Sequence, residues 1–289
     1  MDKILIFLNL FVPLRLEMID MKFDIWQTAE NLNIEYISLD LNNIIDYEKY
    51  KLYAIVTSST QLEGSTLNEL DTKLLLDEGI TAKGKPLEHH LMVKDNYEAI
   101  KFAMKAGGEK QVLSPDFLKK LNSLNMAETG TVVSNVLGII DGRRGDFRLV
   151  NAFSDALGYY LDAPKIPEAV RIFCEEFNRQ MKTDNNTDIL RSSFDAHANL
   201  VLIHPWQDGN KRTSRLVMNF MQRRAGLPLT KVHKEDSKEY LLALKKAKDT
   251  GDLNPFRNFM VKQHIKTLKN EIAAYKQINK KNEKFSLIL

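Results

Sequence analysis

The sequence predicts a mainly α-helical protein that carries one short β-hairpin. Three observations lead there. Apolar residues recur at steps of three and four through most of the chain, helix-capping residues punctuate those runs, and residues 141–164 read as β rather than helix. With 289 residues and 44% hydrophobic content the chain is long and apolar enough for a packed core. Lys and Arg number 41 against 38 Asp and Glu, so the signs nearly balance at +3, and neither a nucleic-acid nor a membrane partner is expected. Cys174 is the single cysteine, which excludes a disulfide within the chain and suits a cytoplasmic setting.

Taken in order, Met1 to Val12 is an apolar run broken by Asn9 and stopped by Pro13. It is too short to span a bilayer, which needs about 20 apolar residues, and no small-x-small cleavage site follows. Met18 and Met21 leave a later start open. Ile34 to Leu39 alternates enough for a strand. Ser59 and Glu63 are four apart and share a helix face, with Gly64 as a natural C-terminal stop. Thr66-Leu-Asn-Glu69 reads as a capping box that opens a helix running to Gly79. Gly79 to Lys85 mimics a phosphate-binding loop in spacing, but Pro86 stands where a Ser or Thr is needed, so it reads as a plain loop. His89 and His90 lack companion ligands and read as surface or packing residues.

Asn96 to Ala106 predicts a helix ending at Gly107-Gly108, and Ser114-Pro115-Asp116 caps another that reaches about Leu124. The hairpin falls in Asp141 to Pro164, with a turn around Ser154-Asp155. Helices then follow over Ile166 to Met181, on to His204 in a last helical turn, over Lys211 to Arg224, Ser237 to Ala247, and Asn254 to about Tyr275. His197 lies on the apolar stripe and reads as a packing histidine. The tail Lys280 to Lys284 is expected to be mobile.

The chemistry concentrates in Ile203 to Arg215, Ile-His-Pro-Trp-Gln-Asp-Gly-Asn-Lys-Arg-Thr-Ser-Arg. Pro205 ends one helix, because the residue before a proline is pushed out of the α region, and Asp208-Gly209-Asn210 turns into the next. A helix N-terminus offers unpaired N–H groups and partial positive charge to an anion, and Arg212 and Arg215, about one turn apart, add guanidinium forks. Asp208 is out of place in so positive a pocket unless it holds a cation, for which Mg2+ bridging phosphates is suited. His204 at the lip can take a proton from a hydroxyl. The bland alternative is a solvated basic helix start beside a core histidine.

These residues resemble the signature of the Fic (Fido) family: His, any, Phe, any, Asp or Glu, Gly, Asn, Gly, Arg, two of any, Arg. Trp206 stands here in place of the usual Phe and Lys211 in place of the second Gly. The resemblance covers roughly residues 57–263. It implies a Fic-fold helical bundle with a β-hairpin flap that pins an extended target segment. It divides the chain into an N-terminal extension (1–56), a helical region with an inhibitory motif (57–112), a core (113–263) and a C-terminal helix and tail (264–289).

By resemblance, the activity is autoinhibited transfer of AMP from ATP with Mg2+ to a Tyr, Thr or Ser hydroxyl of a target protein, with self-modification and homodimerisation left open. His204 would be the base and Asp208 the metal ligand. Gly209 and Asn210 would form the anion loop with Lys211 beside it, and Arg212 and Arg215 would hold the outer phosphates. Ser59, Glu63 and Gly64 match the family's inhibitory motif, whose glutamate pairs with the second motif arginine, here Arg215. Lys211 also leaves open phosphoryl transfer, as in the Doc-like branch, and a third reading is a non-catalytic nucleotide sensor.

Overall fold

The structure, a computed structural model, describes residues 24–39, 41 and 46–286, with side chains as far as residue 277. The expectations for Met1 to Val12, Met18 and Met21 lie outside the described residues. The helices are α1 (Ile25–Ser38), α2 (Tyr47–Gln61), α3 (Glu69–Glu78), α4 (Leu87–Gly108) and α5 (Pro115–Asn125), followed by α6 (Ile166–Gln180), α7 (Asn186–Ile203), α8 (Asn210–Arg224), α9 (Ser237–Thr250) and α10 (Asn254–Ser286). Between α5 and α6 lie two antiparallel hairpins, β1 (Val132–Asn135) with β2 (Gly138–Asp141), and β3 (Phe153–Ser154) with β4 (Gly158–Tyr159). The mainly helical expectation therefore holds.

The antiparallel pair α7 and α8 forms the centre. Every residue of α7 from Ser193 to Ile203 is buried. One of its faces (Ala196, Leu200, Ile203) joins α2, α5 and α8 in a cluster with Val56, Leu118, Leu121, Leu216 and Phe220. The other (Leu190, Phe194, Val201) joins Ala29, Met218, Leu244, Phe256 and Met260 from α1, α8, α9 and α10. A helix buried on all sides has few ways to move, so the loop between α7 and α8 is held at both ends. His197, on the α7 core stripe, is buried and shares a 2.9 Å hydrogen bond with the Tyr240 hydroxyl, in keeping with the packing role read from its position.

Several local expectations are corrected. Ile34 to Ser38 belong to helix α1 rather than to a strand, and Leu39 is its C-cap. Asp24 caps that helix by accepting from Trp26 N, and Ala29, Asn33 and Tyr36, three or four apart, are its buried face, while Ile34 and Ile37 face solvent. The capping box sits two residues later than expected, at Asn68 and Asp71. Thr66 is unavailable, since its hydroxyl and N–H both pair with the His89 ring. Helix α4 begins at Leu87, well before Asn96, and buries His90, whose Nε2 accepts from Ala82 N and whose Nδ1 meets Pro86 O. The last helix continues to Ser286, through the stretch expected to be a mobile tail.

The expected hairpin is present but confined to 153–159, while Arg148 to Ala152 lies outside any strand. The β1–β2 hairpin was not anticipated. Its tip residues Val136 and Leu137 are 99% and 65% exposed, so the alternation that marks a half-buried strand is missing there.

Candidate active site

His204 lies one residue beyond α7, not in its last turn. It adopts the left-handed conformation (φ 54°, ψ 60°) and its N–H donates to Leu200 O at 3.1 Å. Pro205 disfavours the α region for His204. The left-handed conformation costs a non-glycine residue about 1–2 kcal/mol, so something must hold it. That residue is Arg148, which is 1% exposed. Its Nε donates to His204 O at 2.7 Å, its Nη1 to Val150 O at 2.8 Å and its Nη2 to Leu161 O, while Arg148 N donates to Pro205 O at 2.9 Å. Sequence reasoning placed Arg148 in the hairpin and missed this task. No local signal links it to carbonyls 55 and 56 residues away.

The loop itself is closed by Asn210. Its Oδ1 accepts from Trp206 N at 3.0 Å and its Nδ2 donates to Trp206 O at 2.9 Å, while Trp206 is buried with Nε1 donating to Gly145 O at 3.1 Å. The side chain of Asn210 is thus committed to the loop, and what it can offer an anion is its backbone N–H. Gly209 has φ 78°, and a Cβ there would meet Met126 Sδ at 2.7 Å and Asn122 Nδ2 at 2.8 Å, so both conformation and space require glycine. Among the described residues no side chain caps α8, which leaves the N–H groups of its first turn directed outward.

Around that helix start stand the remaining motif residues. Asp208 is 73% exposed; its Oδ1 accepts from Gly209 N at 2.5 Å and its Oδ2 lies 3.6 Å from Arg212 Nη2. Arg212 is itself buried, reaching Asn125 O at 3.5 Å and Met126 Sδ at 3.2 Å. Among the described residues no three His, Cys, Asp or Glu side chains cluster. A cation at Asp208 would therefore take its other ligands from phosphate oxygens and water, a donor set that fits Mg2+.

From helix α2 and the turn after it come Ser59 and Glu63. Arg215 Nε donates to Ser59 Oγ at 2.9 Å, and its Nη2 donates to Ser59 O at 2.9 Å and to Glu63 Oε1 at 2.8 Å. The other carboxylate oxygen of Glu63 meets Lys211 Nζ at 2.8 Å. The expected pairing with Arg215 is present in geometry, and Lys211 is a second partner that the sequence reading did not foresee. Burial alone would raise the Glu63 pKa, but Arg215 and Lys211 outweigh it and hold the carboxyl at about 2. Gly64, at φ 99° beyond the helix end, lets the chain turn after Glu63.

Glu63, His204, Asp208, Gly209, Asn210, Lys211 and Arg212 line one cavity of about 40 Å3. Burial depresses His204 to about 4, with Arg148, Lys211 and Lys248 also lowering it and Val201 O opposing them. The imidazole is therefore neutral at pH 7. Its Nδ1 lies 3.4 Å from Val201 O, the geometry of an Nδ1–H donor, which leaves the Nε2 lone pair to accept a proton.

A neutral histidine stands at the lip of an uncapped helix start, and residues 112–222 match the model of the Fic/DOC family: the chain carries a Fic/DOC domain there. It is similar to the protein adenylyltransferase Fic of Drosophila persimilis, 27% identical over 224 residues, which cover 76% of this chain and 41% of that protein. The corresponding protein of Drosophila melanogaster is 26% identical, over 76% of this chain and 42% of that one. The chain spans about two fifths of the length of these curated relatives.

Two solved structures share the fold. One is a Fic domain containing signaling protein from Bacteroides thetaiotaomicron, with TM-score 0.74, 20% identity, and coverage of 88% of this chain and 97% of that one. The other is Fic-1 from C. elegans, with TM-score 0.73, 22% identity, and coverage of 88% and 72%. No helix among the described residues is long and apolar enough to cross a membrane.

Proposed function

We propose that this chain is a protein adenylyltransferase that moves AMP from Mg-ATP to a Tyr, Thr or Ser hydroxyl of a target protein and is held inactive by Glu63. The observation that carries the reading is the arrangement at one helix start: a neutral His204, an exposed Asp208, open N–H groups and the buried Arg212 share a cleft with the Glu63 carboxylate, which also pairs with the buried Arg215. Its relation to proteins named adenylyltransferases supports AMP as the group transferred.

In this reading the first-turn N–H groups of α8, Arg212 and Arg215 bind the phosphates, and Asp208 would hold Mg2+, whose charge would offset that of the phosphate oxygens. His204 Nε2 takes the proton of the target hydroxyl as its oxygen attacks the α-phosphorus, and pyrophosphate leaves. Glu63 opposes this because its carboxylate and a phosphate oxygen compete for the same guanidinium.

The test incubates the Glu63→Gly protein with Mg-ATP, alone and with a cell lysate, and follows protein masses. A gain of adenylate is expected, reduced about 10²–10⁴-fold by His204→Ala. A gain of phosphate instead would assign phosphoryl transfer, with Lys211 as the departure responsible. Bound ATP without any product would leave a nucleotide sensor.

A further inference from the structure

The hairpin β3–β4 does more than stand beside His204. The Tyr160 ring lies flat on the imidazole, with centroids 3.7 Å apart and planes 14° from parallel. Three contacts hold that tyrosine. Its N–H donates to Ala152 O at 3.1 Å, and its hydroxyl shares a 2.9 Å hydrogen bond with Ser154 Oγ. Lys248 Nζ lies 5.2 Å from its ring centroid, and the same ammonium donates to Leu157 O and Tyr159 O, tying the hairpin to α9.

The imidazole itself has little else to fix its plane. Its one hydrogen bond among the described residues is the 3.4 Å contact of Nδ1 with Val201 O, near the outer limit of such a bond. Arg148 holds His204 through its backbone carbonyl. Rotation about the ring bond would swing Nε2 away from an incoming hydroxyl.

We propose that Tyr160 is a positioning residue for His204: stacked from the β3–β4 hairpin, it sets the plane of the imidazole and hence the direction in which Nε2 accepts a proton. The proposal rests on the reading of His204 as the base. Because the ring is carried by the hairpin, any displacement of that hairpin is transmitted to the base. Tyr160 is not among the residues lining the phosphate cavity, so it acts on the proton-accepting side and leaves nucleotide binding alone.

The test uses the full chain with Glu63→Gly and compares Tyr160→Leu, which keeps apolar bulk but loses the flat ring, with Tyr160→Phe, which keeps the ring. Misaligning a reacting group by a fraction of an ångström to an ångström costs about ten- to a hundredfold in rate, so Tyr160→Leu is expected to lower kcat by that much with KM for ATP unchanged, and Tyr160→Phe to restore it. In nuclear magnetic resonance spectra the His204 ring protons are expected to be shifted upfield by the stacked ring in the parent and in Tyr160→Phe, and to lose that shift in Tyr160→Leu. The proposal is overturned if Tyr160→Leu transfers as fast as the parent, if Tyr160→Phe falls as far as Tyr160→Leu, or if no upfield shift is present in the parent. Absence of transfer in the parent itself would overturn the adenylyltransferase reading, and the proton shifts would still decide whether Tyr160 holds the ring.

Discussion

Of the segments outside the motif that reach it, two do so with opposite physics. The α2 end reaches Lys211 and Arg215 with a carboxylate, while the segment from Arg148 to Tyr160 reaches His204 with carbonyl hydrogen bonds and a stacked ring. An ionic contact of the first kind is one that a phosphate can replace, because the phosphate offers the same charge to the same donors. Nothing of comparable chemistry replaces the contacts of Arg148, so that side is built to stay. The difference separates a removable part of the site from a fixed one.

Acid should attack the buried histidines first, His204 on the fixed side among them, with the largest effect. His204 and His233 are depressed to about 4 and His264 to about 3, burial being the first cause in each, and His197 is also lowered by burial. The unfolded chain binds these protons near pH 6.5, so it gains protons relative to the folded chain as pH falls. Stability is fully present above about 6.5 and is lost progressively toward 4, by on the order of several kcal/mol. Glu63 has the opposite type of group but the same direction of loss: its contribution is present above its ordinary value of 4.5 and fades only toward about 2. Chemical denaturation at pH 7.5, 6, 5 and 4 should show the decline well before the Glu63 contact is protonated. A flat profile over that range would remove the buried neutral histidines from the account.

Arg148→Met is expected to cost about 3 kcal/mol, because carbonyls that lose a buried donor each cost about 1–3 kcal/mol and relaxation recovers part of that. Thermal melts at pH 7.5 measure it. A loss below about 1 kcal/mol would mean that the left-handed His204 holds itself. On the removable side, Glu63→Gly should raise transfer at fixed ATP by about tenfold or more, since removing one partner of a shielded pair is worth a few kcal/mol and each 1.4 kcal/mol is tenfold. Glu69→Gly, on neighbouring α3 and paired at 3.7 Å with Lys231, should leave the rate unchanged.

The smallest effect is that of Lys211→Gly. Lys211 is about one third exposed, so its contact with Glu63 is worth less than that of the buried Arg215, and the variant should raise basal transfer about threefold. Titrating rate against ATP would show it as a shift to lower ATP demand. An unchanged curve would make Lys211 a bystander, and a switch of product from adenylate to phosphate between the two proteins would assign the lysine to nucleotide orientation.

The sequence by itself determined the parts of this protein that are local. The end of α7 at Pro205, the turn at Gly209 and the opening of α8 follow from φ/ψ limits and unpaired N–H groups, which act over a few residues, and so the motif from His204 to Arg215 was legible as one site. Ser59 and Glu63 were legible too, though their partner was reached only through a family likeness. Short β segments and helix edges were less so: the six residues from Ile34 alternate like a strand, but their burial as a helix was decided by packing of Tyr36 against Leu268 and Ile272 of α10.

What only the tertiary structure decided are the contacts that bridge long separations. Arg148 under the His204 carbonyl, Tyr160 on the imidazole and Lys211 on Glu63 have no signature of spacing or composition. Each depends on a side chain meeting a partner from an element 44 to 148 residues away, and only the packing of α2, α7, α8 and the hairpins fixes that distance.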